Sequence, residues 1–346
     1  MNRVATIGFF DGVHRGHQFV VRQVAEEARK RGLEAVVVTF DRPPREVVTG
    51  QKSPLLTTLD EKKRLILAAG ADRCEILPFT PELAALSARQ FMQTVLKEQL
   101  RVEVLMLGYD NRFGHRSPDR PETFDDYQRY AHEIGMEVLK MPVFMDFEPE
   151  NSPPFGGVRG GSSSTIRHAL RDGNIALATE LLGRPYSITG RVVHGRGEGH
   201  RIGFPTANIA PESVATILPK SGVYAVEVKA PSNLPQLGSV TLLGMMNIGT
   251  RPTYDGDTLS LEVHIIDFDG DLYGQTITVD FLRRIRDEQP FDSPEALRKQ
   301  LEKDRADCVF SRNEEGGARK EERGARNRRA LAEGKSNDPN TFDLTP

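Results

Sequence analysis

An apolar run, a glycine-rich turn and the start of a helix follow one another in VATIGFFDGVHRGH, residues 4–17. The run from Val4 to Gly8 predicts a buried strand. The helix beyond the turn ends at Gly32, and it is marked by apolar residues at helical spacing: Val20, Val21, Val24, Ala25 and Ala28. The turn therefore lies where the carboxyl end of a strand meets the N-terminus of a helix, the place where α/β sheets bind phosphate groups.

The alternation of strands and helices continues to about residue 143. Further apolar runs predict strands at Ala35 to Phe40, Cys74 to Leu77, Val102 to Leu107 and Met136 to Val143. Helices are predicted from Asp60 to Ala69, after a cap at Ser87, and from Thr123 to Ile134. This order predicts a doubly wound, Rossmann-like parallel sheet with its ligand at the carboxyl ends of the strands.

A different pattern begins beyond a loop rich in proline and glycine, Asn151 to Gly161. Ser162 caps a short helix, a second helix spans Ile175 to Leu182, and the two are predicted to form the hinge between domains. Short β-rich runs follow, near Ile188 to Val193, Gly222 to Lys229, Val240 to Ile248, Ser260 to Asp267 and Gln275 to Leu282. These runs predict an antiparallel β-barrel, followed by a last helix from Ser293 to about Lys303.

The two patterns divide the chain into two domains and a tail. Residues 1–160 are expected to form the first domain, with 161–183 completing its ligand site, and residues 184–308 to form the barrel domain. Residues 309–346 form a charged segment without an apolar face, which we expect to be disordered and solvated. The alternative for this tail is contact with nucleic acid or a partner, for which it offers three arginines: Arg326, Arg328 and Arg329.

Composition restricts the class of protein. The 346 residues are 38% hydrophobic and 27% charged, and 46 basic and 49 acidic residues give a formal net charge of −3. No apolar run approaches the roughly 20 residues of a membrane helix, and no secretory signal precedes Val4. The charges are spread through the chain, so neither a membrane nor nucleic acid is an expected partner. Cys74 and Cys308 lack the spacing of a disulfide framework or zinc site, and we expect inert thiols in a cytoplasmic protein whose oligomeric state is left open.

The first turn offers chemistry as well as position. His14 and His17, three residues apart with Gly16 between them, are placed to face an anion held at the helix N-terminus. Their donors suit the charge that develops when an α-phosphate is attacked and pyrophosphate departs. A structural or surface role is the alternative for an isolated pair of histidines at this spacing.

This motif resembles the HxGH signature of the nucleotidyltransferase superfamily, and GFFDGVHRGH is similar to its flavin adenylyltransferase branch. SSSTIR, residues 162–167, resembles the SSTxIR element that holds the ATP triphosphate, while GYDNRFG, residues 108–114, resembles a GxDFRFG segment beside the nucleotide. The resemblance implies nucleotide-binding roles for eight residues: Gly8, Phe9, Asp11, Gly12, Asp110, Ser163, Ser164 and Arg167. Read without the family, the two segments are a capped helix with a surface arginine and a tight loop closed by Gly114. The chain departs from the family pattern at Asn111 and in TFDRPP, residues 39–44, which bears on the flavin contacts more than on ATP.

The barrel half contains its own motif, GFPTAN, residues 203–208. A threonine hydroxyl and an asparagine carbonyl two residues apart on an extended segment point to one side, and they supply neutral oxygen ligands for Mg²⁺ already bound to ATP. The segment resembles the PTAN motif of riboflavin kinases, which implies that Gly203, Thr206 and Asn208 bind the nucleotide and its metal. As a bare pattern the same residues form only a capped turn.

Glu262 is the candidate base of this second site. Alternation sets Glu262 and His264 on one strand face and Leu261, Val263 and Ile265 on the other. The resemblance implies that the carboxylate takes the proton from the ribityl 5′-hydroxyl of riboflavin as that oxygen attacks the γ-phosphate. The alternative is a solvent-facing glutamate on an amphipathic strand.

The two motif sets together resemble the bifunctional bacterial riboflavin kinase/FAD synthetase family over residues 1 to 305. That family implies phosphorylation of riboflavin to FMN and adenylylation of FMN to FAD, with Mg²⁺ and ATP as co-substrates. Two alternatives remain at this point. An HxGH enzyme that makes NAD or a coenzyme A precursor would leave PTAN and Glu262 without purpose, and a non-catalytic flavin- or nucleotide-binding regulator would need neither the histidine pair nor the base.

Overall fold

The computed structural model describes residues 2–108, 113–114, 122–142, 162–195, 197–229, 241–253 and 256–309. The chain divides into two compact units. The first comprises Met1–Thr189 with Glu212–Lys220, and the second comprises Gly190–Pro211 with the chain from Ser221 onwards. Three sequence predictions lie outside the described residues: the contact of Asp110 and Asn111, the loop at 151–161, and the disordered tail beyond 309.

The first unit contains a five-stranded parallel sheet, which confirms the predicted doubly wound fold. Its strands are β1 (Arg3–Ile7), β2 (Glu34–Phe40), β3 (Arg73–Leu77), β4 (Val102–Leu107) and β5 (Glu137–Lys140). They lie in the order β3-β2-β1-β4-β5, and each neighbouring pair is parallel. The order reverses at β1, so the carboxyl end of β1 is the switch point at which such sheets bind ligands.

Helices flank this sheet. They are α1 (Arg15–Arg31), α2 (Pro44–Thr49), α3 (Leu59–Ala68), α4 (Pro81–Ala85), α5 (Ala88–Gln90), a π-helical segment (Phe91–Gln99), α6 (Phe124–Glu133), α7 (Ser163–Asp172) and α8 (Ile175–Leu182). The predicted signals are present, because Gly32 ends α1 at φ +66° and Ser87 forms a capping box with Gln90. The short helices α2 and α4 were not predicted, since neither has a buried face of its own.

Alternating strand residues supply the two cores of the sheet. Ala5, Ile7 and Val36 face the π-helical segment and α6. Val4 and Val104 face the opposite way, against α1. The turn after β1 is therefore held between two packed layers and rests on a rigid support.

The predicted barrel is present and closed, and all of it except the first four residues of its first strand belongs to the second unit. Its strands are β6 (Tyr186–Val193), β7 (Ala207–Ile209), β8 (Gly222–Lys229), β9 (Thr241–Thr253), β10 (Gly256–Ile265) and β11 (Thr276–Arg286), in the order β10-β7-β6-β11-β8-β9. A short helix α9 (Glu198–Arg201) precedes β7, and a terminal helix α10 spans 294–309. The structure differs from the sequence prediction in its details: β7 and α9 are not among the predicted elements, and α10 continues six residues beyond Lys303. Strands β9 and β11 continue five and four residues beyond their predicted ends, and β10 begins four residues before its predicted start.

An ion pair fastens α10 to the barrel. Arg286, at the end of β11, donates from Nε to Oδ1 of Asp304 at 3.1 Å and from Nη2 to Oδ2 at 2.8 Å, and Asp304, on α10, is fully buried. Apolar side chains of β9 and β11 also form one core cluster with Leu301 and the thiol of Cys308 on α10. The bidentate geometry fixes the helix in position as well as in charge. Among the described residues, no helix combines the length and apolarity needed to cross a bilayer.

Candidate active sites

The turn between β1 and α1 has a strained backbone. Phe10 and Val13 adopt φ values of +53° and +39°, and Gly12 adopts +78°. Each such non-glycine residue costs about 1–3 kcal/mol and persists only where its surroundings hold it. A Cβ on Gly12 would lie 2.9 Å from Cδ1 of Leu56, so only glycine fits there. This is the conformational reason for the FDG sequence.

Asp11 holds the turn against the segment before α3. Its carboxylate accepts hydrogen bonds from the backbone N–H of Leu56 at 3.0 Å and of Thr57 at 3.4 Å, while Gly12 N–H donates to Thr57 Oγ1 at 3.2 Å. Burial raises the pKa of Asp11, and the adjacent Arg167 guanidinium opposes this shift. Asp11 is 4% exposed, so the structure gives it an anchoring position within the motif.

His14 and His17 lie together at the first turn of α1. Their rings stack with centroids 3.6 Å apart. His14 is the N-cap, and its Nδ1 accepts the backbone N–H of His17 at 3.3 Å, which places any proton of the neutral ring on Nε2. A Cβ on Gly16 would lie 3.3 Å from the His14 ring, so the glycine of HxGH leaves room for that ring.

Both imidazoles are neutral at pH 7. Burial, aided by Arg184, lowers the pKa of His14 to about 4. Burial, aided by His14 and Lys62, lowers the pKa of His17 well below its usual range. The Nδ1 atom of His17 is buried and has no hydrogen-bond partner among the described residues. A neutral ring donates through one nitrogen, so the pair offers directed donors and no preformed positive charge.

Helix α7 brings the SSTxIR residues to the same turn. The Ser163 hydroxyl donates to the carbonyl of Asp11 at 2.9 Å, and Arg167 forms an ion pair with the Asp11 carboxylate. Arg167 Nε also donates to Pro54 O at 2.9 Å, whereas Ser164 is exposed. The predicted residues therefore converge, but the groups of Ser163 and Arg167 are engaged with the protein itself. Their binding of a triphosphate stays a prediction.

Two cations at this site, the buried Lys62 and the partly buried Arg184, were not predicted. Lys62 of α3 donates to Phe9 O at 3.2 Å and Phe40 O at 2.8 Å, and Arg184 donates to Gly12 O at 3.0 Å. A signal for Lys62 exists in the sequence, because it lies four residues before Ile66, on the face of α3 that is otherwise apolar. Arg184 follows α8 and has no comparable local signal.

Two further residues of the predicted site, Gly8 and Phe9, and the loop residue Gly114 have structural roles. Gly8 N–H donates to Val38 O at 3.1 Å, which continues the pairing of β1 with β2. The carbonyl of Phe9 accepts from Thr39 Oγ1 at 3.0 Å. Gly114, with φ +88°, approaches the backbone of Ala88 so closely that a Cβ would overlap it, as expected for a tight loop closed by glycine.

The second candidate site is a row of polar side chains across the barrel. Asn208 of β7 and Asn247 of β9 are the direct register partners of Glu262 on β10. Glu262 Oε1 accepts from Ser260 Oγ at 2.7 Å, and its Oε2 lies 3.5 Å from Thr206 Oγ1. The row brings the PTAN residues and the glutamate together. It depends on β7, which was not among the predicted strands.

The predicted alternation along β10 is confirmed. Leu261, Val263 and Ile265 are buried, whereas Glu262 and His264 are partly exposed. His264 is held by a 2.8 Å hydrogen bond between its Nδ1 and Pro205 O. Burial lowers the pKa of His264, so the neutral ring donates from Nδ1 to that carbonyl.

Two cavities open beside this strand. The larger, about 580 Å³, is lined by Glu262, His264 and Asn247 and by the charged side chains of Glu198, Arg286 and Glu288. Its apolar lining comes from the turn after α9, with Ile202 and Phe204, and from α10, with Leu297 and Leu301. The smaller, about 340 Å³, is lined by Val263, Ile265 and the loop 268–273. Thr206 lines both cavities. Volumes of this order are those of small-molecule sites.

The glycine-rich loop before PTAN packs directly on the motif. A Cβ on Gly195 would overlap the Asn208 amide, and a Cβ on Gly199 would overlap the carbonyl of Phe204. Gly203 adopts φ +83° in the turn between α9 and β7. These glycines let the loop lie against Thr206 and Asn208, a close approach that side chains would prevent.

Comparison with known proteins assigns each unit. A family model described as FAD synthetase matches residues 1–151, and one described as riboflavin kinase matches residues 182–309. The bifunctional riboflavin kinase/FMN adenylyltransferase of Escherichia coli K12 is 42% identical over 302 residues, 87% of this chain and 90% of that protein. The Bacillus subtilis 168 protein of the same name is 33% identical over 312 residues, 88% of this chain and 91% of that protein.

A solved structure covers the same span. A crystal structure of a Streptococcus pneumoniae protein, described as a macrolide-efflux protein, is 32% identical, with a TM-score of 0.74 over 88% of this chain and 93% of that one. Both motif sets, both folds and both family models thus agree along the length of the described chain. The protein belongs to the bifunctional riboflavin kinase/FMN adenylyltransferase family, and it converts riboflavin to FMN and FMN to FAD with ATP.

Proposed function

We propose that the two reactions are divided between the two units, with adenylyl transfer at the β1–α1 turn and phosphoryl transfer at the barrel row. The positions of the two family models support this division.

In the first unit, an oxygen of the FMN phosphate attacks the α-phosphorus of ATP. The new P–O bond forms as the bond from the α-phosphorus to its bridging oxygen breaks, and pyrophosphate leaves. His14, through Nε2–H, and His17 donate to phosphate oxygens at the N-terminus of α1, where the helix dipole also favours negative charge. FMN already carries its nucleophile, so catalysis needs positioning and charge stabilisation rather than a covalent enzyme intermediate.

Ser163, Ser164 and Arg167 are proposed to contact the triphosphate. Their place in the N-terminal half of α7 supports this, as do the contacts of Ser163 and Arg167 with Asp11. Contact between Arg167 and phosphate would exchange its present partner, the Asp11 carboxylate, for another anion. Asp11 would then keep its two backbone donors, Leu56 and Thr57.

In the barrel, we propose that riboflavin occupies the larger cavity and the ATP phosphates reach Thr206 from the smaller one. The single observation that carries this assignment is that Thr206 lines both cavities while Glu262 lines only the larger. A base must reach the hydroxyl that it deprotonates, so the flavin lies on the side of Glu262. The apolar groups of α10 on that side suit the flavin ring.

Mg²⁺ enters this proposal as part of the substrate MgATP. Thr206 Oγ1 and Asn208 Oδ1 are hard, neutral oxygen ligands, the type that suits an ion whose other positions are filled by phosphate and water. Asn208 Nδ2 donates to Thr206 O at 3.3 Å, which orients the amide and joins the two ligands. Glu262 accepts the ribityl proton as the hydroxyl oxygen attacks the γ-phosphorus and ADP departs.

We also propose a cytoplasmic location. The two cysteines of the chain, Cys74 and Cys308, are both unpaired thiols, as in proteins of reducing compartments. Fractionation of the native host cell, followed by immunodetection, tests this directly.

A flavin time course tests the division of labour. Purified protein is incubated with riboflavin, ATP and Mg²⁺, and the flavins are separated by chromatography. His17→Ala should accumulate FMN and form FAD at least about 100-fold more slowly, since it lacks a transition-state donor. Glu262→Gln should leave riboflavin unphosphorylated yet convert supplied FMN to FAD.

In each variant the other reaction reports that the unsubstituted unit is folded, and the urea unfolding midpoint, compared with that of the wild type, checks the unit that carries the substitution. Loss of both reactions in either variant would contradict independent sites. Normal FAD formation by His17→Ala would remove the histidine pair from the mechanism, and normal FMN formation by Glu262→Gln would remove the proposed base.

A further inference from the structure

A buried lysine lies beneath the β1–α1 turn. Lys62 is 3% exposed, and its ammonium group donates to the carbonyls of Phe9 and Phe40. Phe40 ends β2, and Phe9 follows β1, so Lys62 ties the carboxyl ends of two neighbouring strands together. Its Nζ also lies 4.2 Å from the centroid of the Phe9 ring, a cation–π contact.

This contact determines the direction of one peptide unit. The C=O of Phe9 and the N–H of Phe10 belong to the same trans peptide and point in opposite directions. Lys62 and Thr39 both donate to the Phe9 carbonyl and so hold the peptide in one orientation. Phe10 is the residue at φ +53°, and its carbonyl accepts from Val13 N–H at 3.2 Å, one residue before His14.

The ammonium group is also part of the electrostatics of the site. The titratable groups that face it are the carboxylates of Asp11 and Asp41 and the thiol of Cys74. Its positive charge also helps to lower the pKa of His17. Burial lowers the pKa of Lys62 to about 8, and Asp11 is the main group that opposes the shift. Lys62 therefore loses its proton within a pH range at which the enzyme can be assayed.

We infer that Lys62 is a positioning residue for adenylyl transfer, which holds the Phe9–Phe10 peptide so that the strained turn presents His14 and His17 to the nucleotide. Its positive charge is required for this hold, because a neutral amine is a weaker donor to two carbonyls. The inference rests on the proposed role of the histidine pair, and it adds a pH dependence to the adenylyltransferase step.

The test uses three substitutions in the full chain. Lys62→Met removes the charge and donors, Lys62→Arg keeps a permanent positive charge, and Lys63→Met is the matched control on the exposed side of the same helix. The kcat/KM of FMN adenylylation is measured from pH 6.5 to 10, and riboflavin phosphorylation is measured on the same samples as a reference.

In the wild type and Lys63→Met, adenylylation should decline above pH 8 and level off at a rate no lower than that of Lys62→Met. Lys62→Arg should lack that decline, and Lys62→Met should be at least about tenfold slower at pH 7 and also lack it. If Lys62 had only a structural role, the pH profile would show no decline near pH 8 that the Lys62→Arg substitution abolishes. A decline near pH 8 that persists in Lys62→Arg, or a Lys62→Met rate equal to that of Lys63→Met, would overturn the inference.

A second measurement depends neither on turnover nor on the folding of Lys62→Met. The ring nitrogens of His17 are observed by long-range ¹⁵N NMR, and their signals are assigned because they are absent from the spectrum of His17→Asn. The pKa of His17 should rise in Lys62→Gln, since a nearby cation is removed, and stay low in Lys62→Arg; equal values in both variants would contradict the electrostatic part. If His17→Ala still makes FAD, the proposed site itself fails, whereas an inactive His17→Ala beside a fully active Lys62→Met refutes this inference alone.

Discussion

Acidification should destabilise the first unit through His14. Burial lowers the pKa of this histidine from 6.5 to about 4, so the folded protein binds fewer protons than the unfolded chain between these two values. The contribution of His14 to the free energy of unfolding is therefore fully present above pH 6.5, and it is lost as the pH decreases towards 4. Below pH 4 both states are protonated, and the loss reaches its limit.

The magnitude follows from the two pKa values. One pKa unit corresponds to 1.36 kcal/mol, so the limiting loss is about 3 kcal/mol. At pH 5, where the folded state is still largely unprotonated and the unfolded state is not, the loss is about 2 kcal/mol. That is a large part of the stability of an ordinary domain.

The assay compares the wild type with His14→Asn at pH 7.5 and pH 5. Asparagine does not titrate, and it retains an acceptor for the His17 N–H at the N-cap of α1. Urea unfolding is followed by hydrogen exchange of β2, with β8 as an internal reference in the barrel. The wild type should lose about 2 kcal/mol more than His14→Asn, because other titrating groups cancel in this difference.

Substitution of an exposed histidine of the same unit, His132→Asn, should leave the wild-type loss unchanged. If His14→Asn loses as much stability as the wild type, His14 is not the group responsible, and the neutral histidine in the proposed mechanism fails with it.

Three other results are expected. Gly16→Ala places a Cβ 3.3 Å from the His14 ring and should slow FAD formation by about tenfold without affecting FMN formation in the same chromatogram; an unchanged rate would refute the need for that space. Arg286→Met leaves the buried carboxylate of Asp304 unpaired and should cost the barrel about 3–5 kcal/mol in urea unfolding, whereas Arg298→Met on the exposed face of α10 should cost under about 1 kcal/mol. Burial raises the pKa of the two thiols to about 11 and about 12, so a thiol reagent at pH 8 should label the native protein far more slowly than the urea-unfolded chain, and equal rates would contradict it.

Local sequence patterns were sufficient for most of the fold. The helical spacing of α1 and the alternation of β10 depend only on residues within a few positions of each other, and both were predicted correctly. The strand β7 was missed because three residues, Ala207–Ile209, are too few to show a period. Proline and glycine directly before it favoured a turn.

Tertiary contacts determine what the sequence could not reveal about the sites. Asp11 was predicted as a nucleotide contact, but its ion pair with Arg167 joins residues 156 positions apart, and no local pattern encodes it. The neutral state of His14 depends on its burial and on Arg184, a residue from beyond α8. The residues next to Lys62 in the sequence are those of an ordinary exposed helix. Only its spacing from Ile66 places it on the buried face of α3.

The short length of β7 bears on how the barrel is closed. In the described strand order β7 lies between β10 and β6, so if this three-residue strand detaches, the barrel becomes an open sheet with two unpaired edges. Of the PTAN residues, Asn208 lies within β7 and Thr206 directly precedes it. A nucleotide–metal complex bound to these two residues would stabilise the pairing of β7, so barrel closure and substrate binding would be linked equilibria, each favouring the other.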